Sequence, residues 1–163
     1  MTFRLTISQE TVDIQVLEND METLARLQIG LDEEEGIIYS TVVALTLVPG
    51  QPDNHKELIF GIIEAGPDGE TWINDGEETK SFLTGPDRSS VLGYICLMAV
   101  HVAKAAQPDV ISMSTARTFL PAKALSKYGH ICKALRDAGY HGGKGDSYHG
   151  AEIWMLELKK VET

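Results

Sequence analysis

The stretch from Ser89 to Leu158 decides the fold, and it opens with the most apolar segment of the chain. Ser89 to Ala106 reads SSVLGYICLMAVHVAKAA, and Val110 to Ser114 reads VISMS. The first segment is apolar on nearly all sides of a helix and carries a single formal charge, at Lys104, which predicts a helix buried against a sheet. The second is short and apolar, as interior strands are. Their succession predicts a layered α/β arrangement.

A second helix and a closing strand complete this half. Ala122 to Ala138 has an apolar stripe at helical spacing and follows Pro121, which suits a helix start. Gly139 suits the left-handed backbone at a helix end. Glu152 to Leu158 reads EIWMLEL and is predicted as the last strand.

The first half of the chain predicts strands and one short helix. Phe3 to Ile7 and Val12 to Val16 alternate apolar and polar residues, which predicts a hairpin. Met21 to Gln28 is predicted as a short helix with Asn19 or Asp20 as its N-cap.

Two longer strand patterns follow. Ser40 to Val48 and Leu58 to Glu64 are rich in β-branched residues and are predicted as an antiparallel pair. Thr71 to Asn74 and Ser81 to Thr84 are weaker strand candidates. Together the elements predict one α/β (α+β) domain over residues 1–163, with a mixed central sheet and flanking helices.

Composition favours a cytoplasmic globular protein. The chain has 163 residues, is 43% hydrophobic and has a mean hydropathy of −0.09. It has no run of about 18 consecutive apolar residues, so no membrane span or membrane partner is expected. Cys96 and Cys132 are expected to be small buried hydrophobes rather than a disulfide.

Charge is distributed unevenly along the chain. Residues 1–87 hold 4 Lys and Arg against 18 Asp and Glu, and residues 88–163 hold 10 against 6, so a net −14 and a net +4 give the total of −10. Asp32 to Glu35 is expected to be an exposed acidic loop. Because no Lys/Arg patch is interleaved with aromatic residues, direct nucleic-acid binding is not expected. The acidic half favours a cationic substrate or, alternatively, is a solvated face.

A turn is predicted from Gly85 to Ser90, before the apolar helix. The order of this turn, the apolar helix, a strand, the amphipathic helix and the last strand resembles the cofactor-binding half of the GCN5-related N-acetyltransferases. That family holds the pyrophosphate of acetyl-CoA on a strand-to-helix turn with the pattern Gln/Arg-x-x-Gly-x-Gly/Ala. The resemblance implies that the matching segment binds acetyl-CoA: Arg88, Ser89, Ser90, Val91, Leu92 and Gly93. Val91 stands where the family prefers glycine. The alternative is that Asp87 or Ser89 only caps a buried helix.

The resemblance also implies a catalytic tyrosine. The family's last helix commonly ends in Tyr-x-x-x-Gly-Phe, where the tyrosine protonates the departing thiolate. Gly139-Tyr140 matches the end of this pattern, but Leu135 occupies the tyrosine position. Tyr128, two turns earlier on nearly the same face, is the candidate substitute, with core packing as the alternative.

The amine acceptor must lose its charge before it attacks, which a carboxylate on a central strand commonly achieves. Glu64 and Asp75 are the candidates by position, and both are alternatively carboxylates of loops or strand ends. His141 and His149 flank Asp146 in a glycine-rich loop, but their spacing matches no standard site, so no metal is predicted.

Two functions follow as hypotheses. The first is transfer of an acetyl group from acetyl-CoA to a primary amine of a small molecule or a protein, and a homodimer is compatible with it. The second is a non-catalytic acidic protein of similar fold that binds and inhibits or regulates a macromolecular partner. In that case Asp32 to Glu35 and Glu77-Glu78 would be the contact points.

Overall fold

A computed structural model of the protein describes residues 3–7, 14–73, 83–116, 125–146 and 150–159. The elements in chain order are β1 Phe3–Leu5, β2 Val16–Glu18, β3 Glu22–Asp32, β4 Ile37–Leu47, β5 His55–Gly66, β6 Gly69–Ile73, α1 Gly85–Ala106, β7 Val110–Ala116, α2 Ser126–Asp137, β8 Tyr140–Lys144 and β9 Ala151–Leu158. The predicted α/β class with a mixed sheet is confirmed over these residues.

The strands form one mixed sheet in the order β1-β3-β4-β5-β7-β9-β8. β1 and β2 pair with opposite ends of the same edge of β3. β6 pairs with the C-terminal end of β5. All described pairs are antiparallel except β5 with β7, which run parallel and are connected through α1. The predicted antiparallel pair of long strands is therefore β4 and β5.

The predicted helix over Met21 to Gln28 is wrong, because this segment belongs to β3. β3 pairs along nearly its whole length with β4, with a bulge at Ile29. The Asn19 side-chain oxygen accepts hydrogen bonds from the backbone N–H groups of Met21 and Glu22 at 2.8 and 2.9 Å, but it shapes a turn before a strand. Pairing with strands on both sides outweighs the good helix propensity of these residues.

The predicted N-terminal hairpin is also wrong for the residues described. β1 and β2 each pair with β3, Phe3 lying opposite Asp32 and Val16 opposite Ala25. Asp32 departs from the prediction of an exposed acidic loop, because it is fully buried at the end of β3. Its carboxylate accepts hydrogen bonds from the N–H groups of Glu34 and Glu35, which explains how a carboxylate is tolerated there.

Both helices lie on one face of the sheet, which we call the covered face. From α1, Met98 contacts Thr41 of β4, whose hydroxyl lies 3.2 Å from the Met98 sulfur. From α2, Tyr128 stacks on Trp154 of β9. The register of the strands puts Thr41 and Trp154 on the same side. The opposite side, the open face, carries no helix in the described part of the chain.

A single hydrophobic core lies between the helices and the covered face. By length and hydropathy alone α1 is long enough to cross a membrane. Seven of its residues are buried within the fold, which accounts for its apolar character: Val91, Tyr94, Ile95, Met98, Ala99, Val102 and Ala103.

Candidate functional site

The candidate site is an opening in the sheet where β5 and β7 separate. The two strands pair only from His55 to Glu57 on β5. Further along, the same edge of β5 pairs with β6 from Ile62 to Gly66. Between these ladders, Leu58 to Gly61 have no strand partner on that edge among the described residues. Backbone groups on such an edge are free to bind an extended ligand.

Three aromatic rings lie on the covered face beside this opening. Tyr128 of α2 stacks on Trp154 with ring centroids 4.2 Å apart, and it meets Phe60 of β5 at 5.4 Å. The Lys127 ammonium lies 5.6 Å from the ring centroids of both Phe60 and Tyr128. Tyr128 therefore bridges β9 to β5 across β7, with a cation nearby.

The phenol of Tyr128 is held in its protonated form. Burial raises its pKa above 10.0, and a side-chain hydrogen bond with Thr115 of β7 acts in the opposite direction. At neutral pH the hydroxyl therefore carries a proton that it can donate. Tyr128 is buried, so it combines packing, the predicted alternative, with an available polar group.

Glu64 lies on the covered face near the end of β5, opposite Tyr39. It lines a cavity of about 330 Å³ with Glu35, Ile37 and the turn from Gly66 to Thr71. Four carboxylates border this cavity: Glu35, Glu64, Asp68 and Glu70. The cavity is thus suited to a cationic group.

Glu64 and Tyr128 are not brought together. Glu64 follows Phe60 by four residues, which is about 13 Å along a strand. A direct acid–base pair between these two side chains is therefore absent. Asp75, the other predicted base, lies outside the described residues.

The predicted acetyl-CoA segment is organised differently from the expectation. α1 begins at Gly85, so the predicted turn from Gly85 to Ser90 is helical and the predicted start at Ser89 is four residues late. Thr84, rather than Asp87 or Ser89, is the N-cap, and its hydroxyl accepts a hydrogen bond from the Asp87 N–H at 3.2 Å. The Arg88 N–H donates to the Thr84 carbonyl at 2.9 Å. Pro86 in the first turn favours this early start.

The six predicted residues consequently do not form a cradle of free amides. The N–H groups from Ser89 onward lie within the helix, where they bond to carbonyls four residues earlier. Val91 is 4% exposed and belongs to the core. A side chain at Gly93 would meet nothing within 4 Å, so this glycine serves no close approach.

In the segment from Arg88 to Gly93, three residues are exposed: Arg88, Ser89 and Gly93. Ser90 and Leu92 are partly exposed. Asp87 lies in the first turn, where its negative charge complements the helix dipole. A phosphate at this helix end would meet Asp87 as well as Arg88. The segment therefore fits a phosphate less well than the sequence pattern implied.

The family tyrosine position is closed to ligands. Leu135 is fully buried on α2. Gly139 has the predicted positive φ, at 106°, and the Tyr140 hydroxyl donates to the Pro108 carbonyl at 2.8 Å. Gly139-Tyr140 thus fixes the end of α2 against the end of α1.

Glu152, a buried carboxylate of β9 near Tyr128, was not among the residues predicted for the site. It lies opposite Thr115, and the Lys144 ammonium is 2.8 Å from its carboxylate. The sequence holds a signal for it, because Glu152 is in phase with Trp154 and Leu156 on the buried side of a strand.

A second cavity, of about 360 Å³, lies between α2 and the edge of the sheet. It is lined by Leu125, Ser126, Gly129, Cys132, Arg136, Gly143, Lys144 and Trp154. Burial raises the pKa of the Cys132 thiol, while the Arg136 charge opposes part of the rise. The buried thiol is therefore in its unreactive protonated form.

Among the residues described, no group of three or more His, Cys, Asp or Glu side chains is arranged to hold a metal ion. No protein-family model matches the chain, and no curated protein matches it.

Proposed function

We propose that this protein transfers an acyl group from acetyl-CoA to a primary amine, on a fold of the GCN5-related N-acetyltransferase layout. The observation that carries the proposal is the separation of β5 from β7 with Tyr128 beside the opening. The edge of Leu58 to Gly61, which has no strand partner among the described residues, offers backbone donors and acceptors. The amide groups of the extended thioester arm of acetyl-CoA are suited to pair with such an edge.

The order of elements gives further support. β5 and β7 run parallel, with β6 and α1 between them in the chain, and they are followed by α2 and by β8 and β9 of the same sheet. Ligands of open α/β sheets bind at the carboxyl ends of parallel strands, where neighbouring strands diverge. The opening between β5 and β7 is such a place.

The roles of the side chains follow from their charges. The acceptor nitrogen forms a bond to the acyl carbon, the carbon–sulfur bond breaks, and the thiolate takes a proton from Tyr128. The acceptor loses a proton to solvent, and Tyr128 is reprotonated. Glu64 and the acidic cavity at the end of β5 attract a cationic amine, at a distance that excludes Glu64 from direct proton exchange with Tyr128.

The test combines binding with turnover. Acetyl-CoA is expected to raise the melting temperature, and the adenosine bisphosphate part of the cofactor alone is expected to raise it less, because the proposed contact is with the thioester arm. Thiol release in the presence of polyamines or lysine peptides then measures acyl transfer. Absence of both a melting shift and thiol release would overturn the proposal.

Tyr128→Phe is the decisive variant, because it keeps the stacked ring and removes the proton. We expect the rate of acyl transfer to fall about 100-fold with little change in cofactor binding. Thr115→Val is the matched control, since it removes the hydrogen bond to Tyr128 and leaves the phenol in place. Equal losses in both variants would indicate a packing role for Tyr128 instead.

A second candidate function is the non-catalytic acidic protein, and the position of Asp87 favours it. A carboxylate in the first turn of α1 and a buried Val91 are both unfavourable for a phosphate at that end. Because Asp32 is buried, the contact points of such a protein in this loop are the exposed Glu33, Glu34 and Glu35. The other predicted contact, Glu77-Glu78, lies outside the described residues. A salt-sensitive complex with a basic protein, without any response to acetyl-CoA, would support this function.

A further inference from the structure

The open face of the sheet carries most of the exposed apolar side chains. Of the seven large apolar residues that are exposed in the described chain, the strand register puts five on this face: Leu17, Ile38, Ile59, Trp72 and Met155. Leu17 and Ile59 belong to one continuous row across β2, β3, β4 and β5. Trp72 lies over Gly61, where an added Cβ would come within 2.6 Å of its indole ring.

We propose that this face is the contact between two copies of the chain, packed sheet against sheet around a two-fold axis. We define the open-face patch as Leu17, Arg26, Ile38, Ile59, Glu70 and Trp72.

The centre of the open face is apolar and is already closed within the chain. β4 reads IIYSTVVALTL, and its open-face residues Ser40, Val42 and Ala44 are buried without a second copy. A nearly continuous apolar strand is typical of a sheet that is covered on both faces. The apolar side chains that stay exposed around this centre are therefore the ones that a second copy would cover.

The dimensions of the face suit a dimer. β4 has eleven residues, and about four strands lie side by side along the patch, from three at Arg26 to five at Ile38. These strands make a surface of about 37 by 19 Å, or about 700 Å². A stable interface of standard size takes about 800 Å² from each partner.

The charges of the patch favour a second copy over a partner of different chemistry. The strand register puts five charged residues on the open face of β1 to β6: Arg4 and Arg26 against Glu22, Glu57 and Glu70. Arg26 and Glu70 lie 3.0 Å apart within the chain. These charges sum to −1, so the face is far less acidic than the chain as a whole, whose net charge is −10. In a two-fold contact the same patch lies on both sides, so Arg26 of each copy is available to Glu70 of the other.

The first experiment measures the molar mass in solution by sedimentation over a wide range of protein concentration. We expect a dimer that tightens as salt is added, because salt screens the repulsion between two acidic chains. Ile59→Lys is expected to give a monomer. Leu97→Lys is the matched control, because Leu97 is equally exposed on α1, away from the open face, and it should leave the dimer intact.

The second experiment avoids the objection that a lysine in a strand disturbs folding. Arg26→Glu and Glu70→Arg are prepared separately and each is expected to dimerise more weakly, since each puts like charges across the contact. Mixing the two is expected to give a mixed dimer, because opposite charges then meet between chains. If the Arg26–Glu70 ion pair acted only within one chain, mixing would not give a mixed dimer, because neither variant regains the ion pair within its own chain.

The inference is overturned if the wild-type protein is a monomer at all concentrations. It is overturned equally if Leu97→Lys and Ile59→Lys act alike, or if the mixture of charge variants forms no mixed dimer. A dimer abolished by Ile59→Lys and restored in the mixture supports it.

Discussion

The two faces of the sheet differ in what covers them, although their sequences are similarly apolar. Leu58 and Ile59 are neighbours on β5, yet Leu58 is 2% exposed under the helices and Ile59 is 39% exposed on the open face. On β5 the difference follows from the helix layer, which covers Leu58 and leaves Ile59 open, rather than from the composition of the strand. Substitutions that act on one face at a time test this contrast.

The largest expected effect comes from the covered face. Leu58→Ala should lower the free energy of unfolding by about 2 to 5 kcal/mol, because it leaves a cavity in a closely packed core. Ile59→Ala, measured at protein concentrations low enough to keep the chain monomeric, should lower it by less than about 1 kcal/mol. Urea unfolding of both variants makes the comparison, and equal losses would contradict the contrast between the faces.

Alkaline pH should also lower the stability of the fold, through a tyrosine on the covered face. Burial, then the charges of Glu64, Asp32 and Glu35, raise the pKa of Tyr39 from 10.0 to about 12. The unfolded chain ionises this tyrosine at lower pH than the folded chain. The stability contributed by the neutral phenol is therefore complete below pH 10.0 and is lost as the pH rises towards about 12.

This loss is measured by following the folded fraction against pH together with tyrosinate absorbance. Burial, then the charge of Asp109, also raises the pKa of Tyr140 to about 12, so both tyrosines contribute to it. Tyr39→Phe and Tyr140→Phe should each flatten the decline. A wild-type protein whose stability is constant over this interval would show that neither phenol is held neutral by folding.

A smaller effect is expected from the cap of the helix that covers the sheet. Thr84→Ala removes the hydroxyl that accepts the Asp87 N–H and should cost about 1 kcal/mol of stability. Thr84→Ser is the control, since it keeps the hydroxyl. Thermal unfolding distinguishes them, and identical melting temperatures for the two variants would argue that the cap contributes nothing.

The smallest effect is expected on the open face. Arg26 and Glu70 form an exposed ion pair, 40% and 56% exposed at their side chains, and such pairs contribute about 0 to 1 kcal/mol. Arg26→Ala should therefore leave the free energy of unfolding of the monomer nearly unchanged in added salt. A loss as large as that of Leu58→Ala would mean that the open face is packed as tightly as the covered one.

Most of the second half of the fold was predictable because its signals are local, although β8 lies where a glycine-rich loop was expected. α1, β7, α2 and β9 each combine a clear apolar period with a recognisable start or stop, such as Gln107-Pro108 after α1 and Gly139 after α2. The left-handed Gln107 does end α1, with its N–H bonded to the Ala103 carbonyl. Such local signals predict the structure correctly because contacts with the rest of the protein favour the same secondary structure.

The first half was less predictable because its strands depend on pairing with neighbouring strands rather than on a clear pattern within each segment. Glu22 to Asp32 has residues that favour a helix in isolation, and only pairing with β4, β1 and β2 makes it a strand. The bulge at Ile29 also interrupts the alternation of buried and exposed residues along β3, which would otherwise indicate a strand.

The candidate site also divides into residues that local sequence signals predict and residues that only the sheet brings together. Tyr128 was found from its place on α2, whereas its neighbours Phe60, Thr115 and Trp154 come from three strands that only the sheet brings together. The start of the helix that carries the predicted cofactor segment was placed wrongly, because a six-residue pattern does not fix where a helix begins. Pro86 and Thr84 determine that start, and neither belongs to the pattern.

The short ladder from His55 to Glu57 has a mechanical consequence. In the described chain this ladder, together with the hydrogen bonds from the Asp109 and Val110 N–H groups to the Asn54 carbonyl, makes the direct backbone connection between the antiparallel sheet of β1 to β6 and the sheet of β7 to β9. The two halves are otherwise held together by side chains, chiefly through the helices. The sheet is accordingly stiff within each half and compliant at this seam, so strain applied to the molecule will concentrate there.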